Sequence, residues 1–361
     1  MPQKDTPREA TKAHSALSQG QVHTLAGPLA ALLNERATRQ AQATLSLELE
    51  EGLSGADRLR LSWRAHPQGL DGLRGSLWTD ARQRGAAALN ALPAPMEQQR
   101  SGLLGHPELH GELFIALVFH LQEPPPERVP TAQLAGRTHD RYYRELPDMP
   151  GDLDSAAAIL LSGLPQVAHL REQARTRLEW ALAQSPVPVW ESGGWYGPHC
   201  PAVTGRALMA AGALGLSVPD AAIAPLRAIQ GWARSPHYPD AVVASALVLR
   251  GLEAVGQDHP GLRRLLATAP CGSWSPLAVA ASVEAVGPAL SPRRREQLLV
   301  RLLRTQRFDG AWGPSPWFMV PAPQGGMQPF GDAAYTTAAV LSALRALQPA
   351  PWRDLPGAAA R

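Results

Sequence analysis

The sequence predicts a mainly α-helical protein: a single (α/α) barrel of helical hairpin repeats, preceded by a small N-terminal α/β unit that contains one β-hairpin. Three observations favour this fold class. Segments rich in Ala and Leu recur along most of the chain, as in helical repeat proteins. Gly and Pro are frequent, at 32 and 35 of 361 residues, so the helices should be short. Apolar residues alternate with polar ones before residue 65, which is typical of strands.

The N-terminal region divides into a tail and the small α/β unit. Residues 1–20 are polar and lack an apolar period, so we expect a flexible tail. Residues 21–100 should form the α/β unit, with a first helix, a hairpin at 44–64 and a second helix at 70–90. Apolar residues of the hairpin alternate with glutamates in one strand and with arginines in the other. Antiparallel pairing would align these opposite charges.

The barrel is expected over residues 103–350, where apolar segments repeat, and residues 351–361 should be a second tail. Three of the segments begin with Asp and reach a Leu twelve residues later, and two are degenerate copies without the Asp. The five segments are 152–164, 202–214, 240–252, 274–286 and 332–344. Their spacing, about 45 residues on average, suits one helical hairpin per repeat.

The segments are apolar nearly all round, so we expect them to form an inner ring. More charged segments should form an outer ring, and a partial sixth unit lies at 108–121. This alternation favours a closed barrel. A curved open solenoid is the alternative architecture.

Charge and composition exclude several function classes. The net charge is only +3, and the arginines are scattered among acidic residues, so we expect no nucleic-acid partner. Two cysteines are too few for a disulfide framework, and we expect a cytoplasmic protein. No apolar stretch approaches the roughly 18 residues that suggest a membrane-spanning helix. Peripheral membrane contact and the oligomeric state stay open.

A Gln-Trp motif lies between a charged and an apolar segment near the C-terminus. It reads Gln306-Arg-Phe-Asp-Gly310-Ala-Trp312 and resembles the repeat of squalene-hopene cyclases and other class II terpenoid cyclases, in the prenyltransferase-like barrel superfamily. The resemblance implies an isomerase or lyase that cyclises an isoprenoid. The motif itself is expected to be structural, because Gln can bond free backbone groups, Gly permits a tight turn and Trp packs over a neighbouring hairpin.

One acidic residue distinguishes the first repeat from the others. Asp152 shares its repeat position with two other aspartates, so helix capping explains it. Asp154 stands where other repeats carry Val242 and Ala334, which places an acid at an aliphatic position. The stretch from Asp152 to Ser155 also resembles the Asp-x-Asp-Asp motif of class II cyclases. That resemblance implies a catalytic group of Asp154, Asp152 and Ser155, with Asp154 as the acid, although Ser155 replaces the last Asp of the motif.

Aromatic side chains cluster at the ends of the repeats, where a cationic intermediate could be held. Each well-placed ring stabilises a positive charge by roughly 0.5 to 2 kcal/mol. The candidate substrate-binding residues are Trp195, Tyr196, Tyr238, Trp317, Phe318 and Tyr335. Their expected ligand is an apolar isoprenoid.

Two other function classes stay open at this point. Barrels of this kind also host glycosidases that use two carboxylates, here Asp154 with Asp140, Glu145 or Asp148. A non-catalytic repeat scaffold that binds a partner is the other alternative. We expect no metal site and no cofactor, because no spacing of His and Cys supports one. Magnesium would enter only if the substrate were a diphosphate.

Overall fold

The computed structural model describes residues 43–50, 58–65, 67–92, 150–192, 197–321 and 327–348. The chain divides into two compact units, residues 77–348 and residues 1–76 together with 349–361. Both predicted tails, the predicted first helix and the sixth hairpin at 108–121 lie outside the described residues. The described part is mainly helical, so the prediction of a mainly α-helical protein is confirmed.

The predicted β-hairpin is present. Strands β1 (Ala43–Glu50) and β2 (Arg58–Ala65) pair antiparallel. Their register sets Glu48 opposite Arg60 and Glu50 opposite Arg58, as the alternating pattern predicts. Helix α1 (Pro67–Ala91) follows and includes the predicted 70–90 segment.

Residues 150–348 form helical hairpins in which inner and outer helices alternate. The inner helices are α2 (Leu153–Ser162), α4 (Pro201–Ala213), α6 (Ala241–Ala254), α8 (Pro276–Val286) and α10 (Ala333–Ala346). The outer helices are α3 (Arg171–Leu182), α5 (Asp220–Arg227), α7 (Pro260–Thr268) and α9 (Pro292–Thr305). Short 3₁₀ segments lie at Pro165–Leu170 and Gly287–Ala289.

The five inner helices begin where the repeat pattern predicts them. Each is buried on nearly all sides, and each packs against the next inner helix along the chain, in the order α2, α4, α6, α8, α10. The outer helices bury a single stripe, as α9 does with Leu298, Leu299 and Leu302. The inner and outer layers are therefore as expected, and closure of the ring stays a prediction.

The repeated aspartates cap three of the five inner helices. Asp152 accepts a hydrogen bond from the Ser155 backbone N–H at 2.6 Å, and Asp332 accepts one from the Tyr335 N–H at 2.7 Å. Asp240 accepts from Val242 N–H at 2.9 Å. Each carboxylate thus satisfies a backbone donor that the first helical turn leaves free.

The Gln-Trp motif holds neighbouring segments together. Gln306 Nε2 donates to the carbonyl oxygens of Ala81 and Gly310, at 2.9 and 2.8 Å. The Trp312 indole is fully buried and donates to Leu302 O at 2.8 Å. Gly310 has φ of 86°, a conformation that favours glycine. The motif has the structural role that its residue types indicate.

A second hairpin is present that the sequence analysis does not predict. Strands β3 (Ser315–Pro321) and β4 (Met327–Asp332) pair antiparallel. Several prolines interrupt both segments, and Pro usually argues against a strand. The sequence therefore indicates loops here, but a two-stranded hairpin consists only of edge strands, where Pro is tolerated. This hairpin carries Trp317 and Phe318.

Helices α4 and α6 cross at a contact that only glycine permits. A methyl group added at Gly205 would lie 2.5 Å from Leu247 O, and one at Gly251 would collide with Gly205 O. The two backbones therefore touch without intervening side chains, which fixes the position of the residue beside Gly205, Arg206.

We predict that Gly205→Ala lowers the free energy of unfolding by about 1 to 3 kcal/mol, because a methyl group at a backbone contact forces the helices apart. Guanidinium chloride unfolding followed by circular dichroism measures the change. Gly287→Ala is the matched control, since a methyl group there meets nothing within 4 Å. Equal stability of the two variants would contradict the close packing of α4 on α6.

Candidate functional site

Asp154 lies in the first turn of α2, immediately after the residue that caps the helix. Its side chain is only 4% exposed. The Tyr238 hydroxyl donates a hydrogen bond to Asp154 Oδ2 at 2.6 Å. Arg206 Nη1 lies 3.0 Å from Asp154 Oδ1, so the two side chains form an ion pair. Three segments distant in sequence therefore meet at one buried carboxylate.

Arg206 and Tyr238 also contact each other. The Arg206 guanidinium carbon lies 5.4 Å from the centre of the Tyr238 ring, within cation–π range. Burial lowers the pKa of Arg206, but the negative charge of Asp154 raises it, and the net pKa lies above the ordinary value. Burial raises the pKa of Tyr238 well above its usual range. Arg206 is thus a cation and Tyr238 a neutral hydroxyl donor at any physiological pH.

The two other residues of the predicted catalytic group occupy the helix start beside Asp154. Asp152 is buried, and its Oδ1 accepts from the Ser155 backbone N–H as the helix cap. The Ser155 hydroxyl is buried and has no hydrogen-bond partner among the described residues. The motif therefore places Asp154 at the helix N-terminus, while Tyr238 and Arg206 supply the polar contacts to its carboxylate.

Four of the six predicted aromatic residues form one continuous cluster. The ring of Phe318 packs edge-on to Tyr238 with centroids 5.9 Å apart and lies 5.6 Å from Trp317. Trp317 in turn stacks on Tyr335 at 4.3 Å with an interplanar angle of 5°. Trp195 and Tyr196 lie outside the described residues.

The cluster extends electrostatically back to the carboxylate. Burial raises the pKa of Tyr335, and the charges of Arg206, Glu284 and Asp154 act on its hydroxyl as well. Tyr335 on α10 is connected to Asp154 on α2 through the rings of Trp317, Phe318 and Tyr238, whose hydroxyl donates to the carboxylate. The ring of His237 lies 6.0 Å from that of Trp190 and 6.3 Å from that of Phe318, which extends the aromatic cluster.

Arg206 is the residue that the sequence analysis missed. It stands in an apolar inner-helix segment, between Gly205 and Ala207, as Asp154 does in its own segment. The same comparison of repeats could have found it, because a buried charge in an apolar helix needs a partner of opposite sign. Asp154 and Arg206 are buried charges of opposite sign that pair with each other.

The described ranges hold neither a metal-binding cluster nor a membrane-spanning helix. No three His, Cys, Asp or Glu side chains gather there to hold a metal ion. No helix in those ranges combines the length and apolar character needed to cross a bilayer.

Solved structures show which proteins share this fold. A protein from Actinoplanes is 20% identical, with a TM-score of 0.53, and the match covers 75% of this chain and 99% of that one. A variant of the type II terpene cyclase MstE from Scytonema, in complex with its product merosterolic acid A, is 15% identical with a TM-score of 0.55. That match covers 76% of this chain and 97% of the cyclase.

A second MstE variant is in complex with the substrate geranylgeranyl dihydroxybenzoate. It is also 15% identical, with a TM-score of 0.54, and the match covers 76% of this chain and 98% of that one. No protein-family model and no curated protein sequence matches the chain. The protein therefore has the fold of type II terpene cyclases.

We predict that Arg206→Met lowers the free energy of unfolding by about 3 to 5 kcal/mol, because it leaves the Asp154 carboxylate buried and unpaired. Adding Asp154→Asn should recover part of this loss, since the second substitution removes the unpaired charge. Chemical unfolding of both variants measures the difference.

The matched control for these two variants is Arg227→Met. Arg227 pairs with Asp220 at the surface, where an ion pair contributes roughly 1 kcal/mol or less. A loss in Arg206→Met no larger than in this control would contradict the buried ion pair.

Proposed function

We propose that the protein is a terpenoid cyclase-like enzyme that cyclises an isoprenoid by protonation, inside an apolar cavity of a closed (α/α) barrel. The observation that carries the proposal is a buried aspartate, Asp154, held by Tyr238 and Arg206 beside an aromatic cluster. The fold that the chain shares with type II terpene cyclases also supports the proposal. An isoprenoid requires an apolar interior, and protonating an alkene requires a positioned acid.

Asp154 is the proposed proton donor. The carboxylate of the ion pair first takes up a proton from solvent. This proton then moves to one alkene carbon, the π electron pair forms the new C–H bond, and the other alkene carbon becomes cationic. The carboxylate left behind receives the Tyr238 hydrogen bond and the Arg206 charge, both already in place. Such preorganised groups stabilise charge as it develops in the transition state. Loss of a proton from the cyclised cation and reprotonation of Asp154 from solvent complete the cycle.

The aromatic cluster is the proposed wall for the cation. Tyr238, Phe318, Trp317 and Tyr335 present connected rings, and each ring that faces the cation contributes roughly 0.5 to 2 kcal/mol. We include Trp195 and Tyr196 in this wall as candidates. Asp152 and Ser155 act by placing Asp154 at the helix start.

The proposed substrate is an isoprenoid small molecule, for which geranylgeranyl dihydroxybenzoate, the substrate of MstE, serves as a first candidate. Protonation of an alkene needs no cofactor, and magnesium would be required only by a diphosphate substrate. Because long isoprenoids partition into membranes, we expect peripheral membrane contact during substrate uptake by a cytoplasmic protein.

Mass spectrometry of products from purified protein and a panel of isoprenoids tests this proposal. We expect a cyclic product from the unsubstituted protein. Asp154→Asn should lower turnover roughly 10²-fold or more, because the proton donor is lost. Tyr238→Phe should reduce turnover less, because Arg206 still stabilises the carboxylate.

Asp240→Asn is the matched control for the acid. Asp240 also begins an inner helix and caps it, and Asn caps a helix about as well as Asp. Its activity should therefore stay near that of the unsubstituted protein. Circular dichroism at the assay temperature checks that every variant is folded. Unchanged turnover in folded Asp154→Asn would end the proposal.

A further inference from the structure

Arginines are scattered along most of the chain, but helix α9 and the turn after it concentrate them. Residues 292–310 hold six arginines and two acidic residues, which gives this segment a net charge of +4. The whole chain has a net charge of only +3, so the rest of it carries −1. The positive charge of the protein is therefore gathered on one outer helix.

Backbone contacts leave much of this charge without an offset. Three arginines of α9 donate to carbonyl oxygens, which are neutral acceptors and do not cancel the charge of a guanidinium. These bonds join Arg294 to Ala269, Arg295 to Ala346 and Arg301 to Trp274, at 2.6, 2.7 and 2.9 Å. The helix thus presents a positive field towards its surroundings.

The outward side of α9 is one line of exposed side chains. Positions 293, 297, 300 and 304 lie within about 60° of one another around the helix, on the side opposite the buried Leu302. All four of these residues are exposed: Arg293, Gln297, Val300 and Arg304. Glu296, also exposed, lies beside the line. Two arginines and an aliphatic side chain therefore face away from the core.

Phe308 follows the C-terminal end of α9 and is 89% exposed. It belongs to the Gln-Trp motif, in which Gln306 and Trp312 make structural contacts, but the Phe308 ring adds almost no packing. Hydrogen bonds hold its turn, from Arg307 N–H to Ala311 O at 2.8 Å and from Gly310 N–H to Arg307 O at 3.0 Å. An ordered turn therefore presents an aromatic ring to solvent beside the basic helix.

We propose that the outward side of α9 and the Phe308 turn bind an anionic phospholipid surface, with the arginines on the phosphate groups and the Phe308 ring inserted at the level of the lipid chains. Guanidinium groups form paired hydrogen bonds with phosphate oxygens. Basic residues are attracted to an anionic leaflet, and an apolar ring leaves water when it enters the interface. The two kinds of side chain thus act together.

The composition of this face favours lipid over two other partners. A protein interface has an apolar core, whereas the exposed large apolar side chains on this face are Val300 and Phe308. Single-stranded nucleic acid stacks its successive bases on several aromatic rings along a groove, and this outer helix offers one ring. The proposed isoprenoid substrate also partitions into membranes, and to that extent the choice of lipid rests on the proposed function.

Co-sedimentation of the full-length protein with lipid vesicles tests this assignment without any substrate. One set of vesicles is phosphatidylcholine alone, and the other contains equal parts of phosphatidylcholine and phosphatidylserine. We expect the protein to bind the anionic vesicles roughly tenfold or more tightly than the neutral ones. Added salt should reduce this difference, because it screens the charges.

Two single variants test the residues of the face. Arg304→Gln should weaken binding to the anionic vesicles about fivefold, and Phe308→Ser should weaken it about tenfold, because the inserted apolar surface is lost. Arg175→Gln and Trp180→Ser are the matched controls on the outer helix α3, where these side chains are also exposed. Both controls should bind like the unsubstituted protein. Circular dichroism checks the folding of every variant.

Equal binding to both kinds of vesicle, or binding to neither, would overturn the assignment. Losses in the α3 controls as large as those in the α9 and Phe308 variants would overturn it as well. Tighter binding to polyuridylate than to the anionic vesicles at the same salt concentration would assign the face to nucleic acid instead. Because no substrate is present, failed vesicle binding would leave the cyclisation proposal standing, and failed turnover would leave the membrane face standing.

Discussion

The buried ion pair between Asp154 and Arg206 is the interaction on which the rest of the site depends. Both side chains come from apolar inner helices and are almost fully buried. Removing two charges from water costs several kcal/mol per ion, and the cost is offset only when partners are well placed. The Tyr238 hydroxyl adds a hydrogen bond to the same carboxylate. This pairing therefore requires α2, α4 and the segment before α6 to meet in one arrangement.

Backbone packing makes that arrangement available. The glycine contact between α4 and α6 removes side chains from the crossing. Arg206, the residue after Gly205, pairs with Asp154 on α2. The aspartate caps fix where α2 and α10 begin, and thereby place Asp154 and Tyr335 in the first turns of these helices. The aromatic cluster then connects the start of α10 with the start of α2. Trp317 and Phe318 of β3 lie between Tyr335 and Tyr238, and Tyr238 donates to Asp154.

The parts of the structure that could be predicted from the sequence are those that a comparison of the repeats with one another reveals. The inner helices and their caps follow from a spaced apolar pattern, because that pattern reflects local helix propensity and burial. Asp154 was found as an exception to the pattern, and the same method applied to Arg206 would have found its partner. The β3–β4 hairpin was missed because prolines obscure its alternation, and aromatic neighbours such as Phe318 and Tyr238 meet only through tertiary packing, which no local spacing encodes.

Proton transfer from solvent-exchanged Asp154 to the substrate is the central claim, and turnover in heavy water tests it most directly. The proposal has Asp154 take up its proton from solvent in every cycle, so the first C–H bond formed should carry deuterium. Mass spectrometry of the cyclic product is expected to show one deuterium atom at the carbon that was protonated. Asp154→Asn should form roughly 10²-fold less of this product, or still less. A cyclic product without deuterium, or labelled product from folded Asp154→Asn at the unsubstituted rate, would contradict Asp154 as the acid.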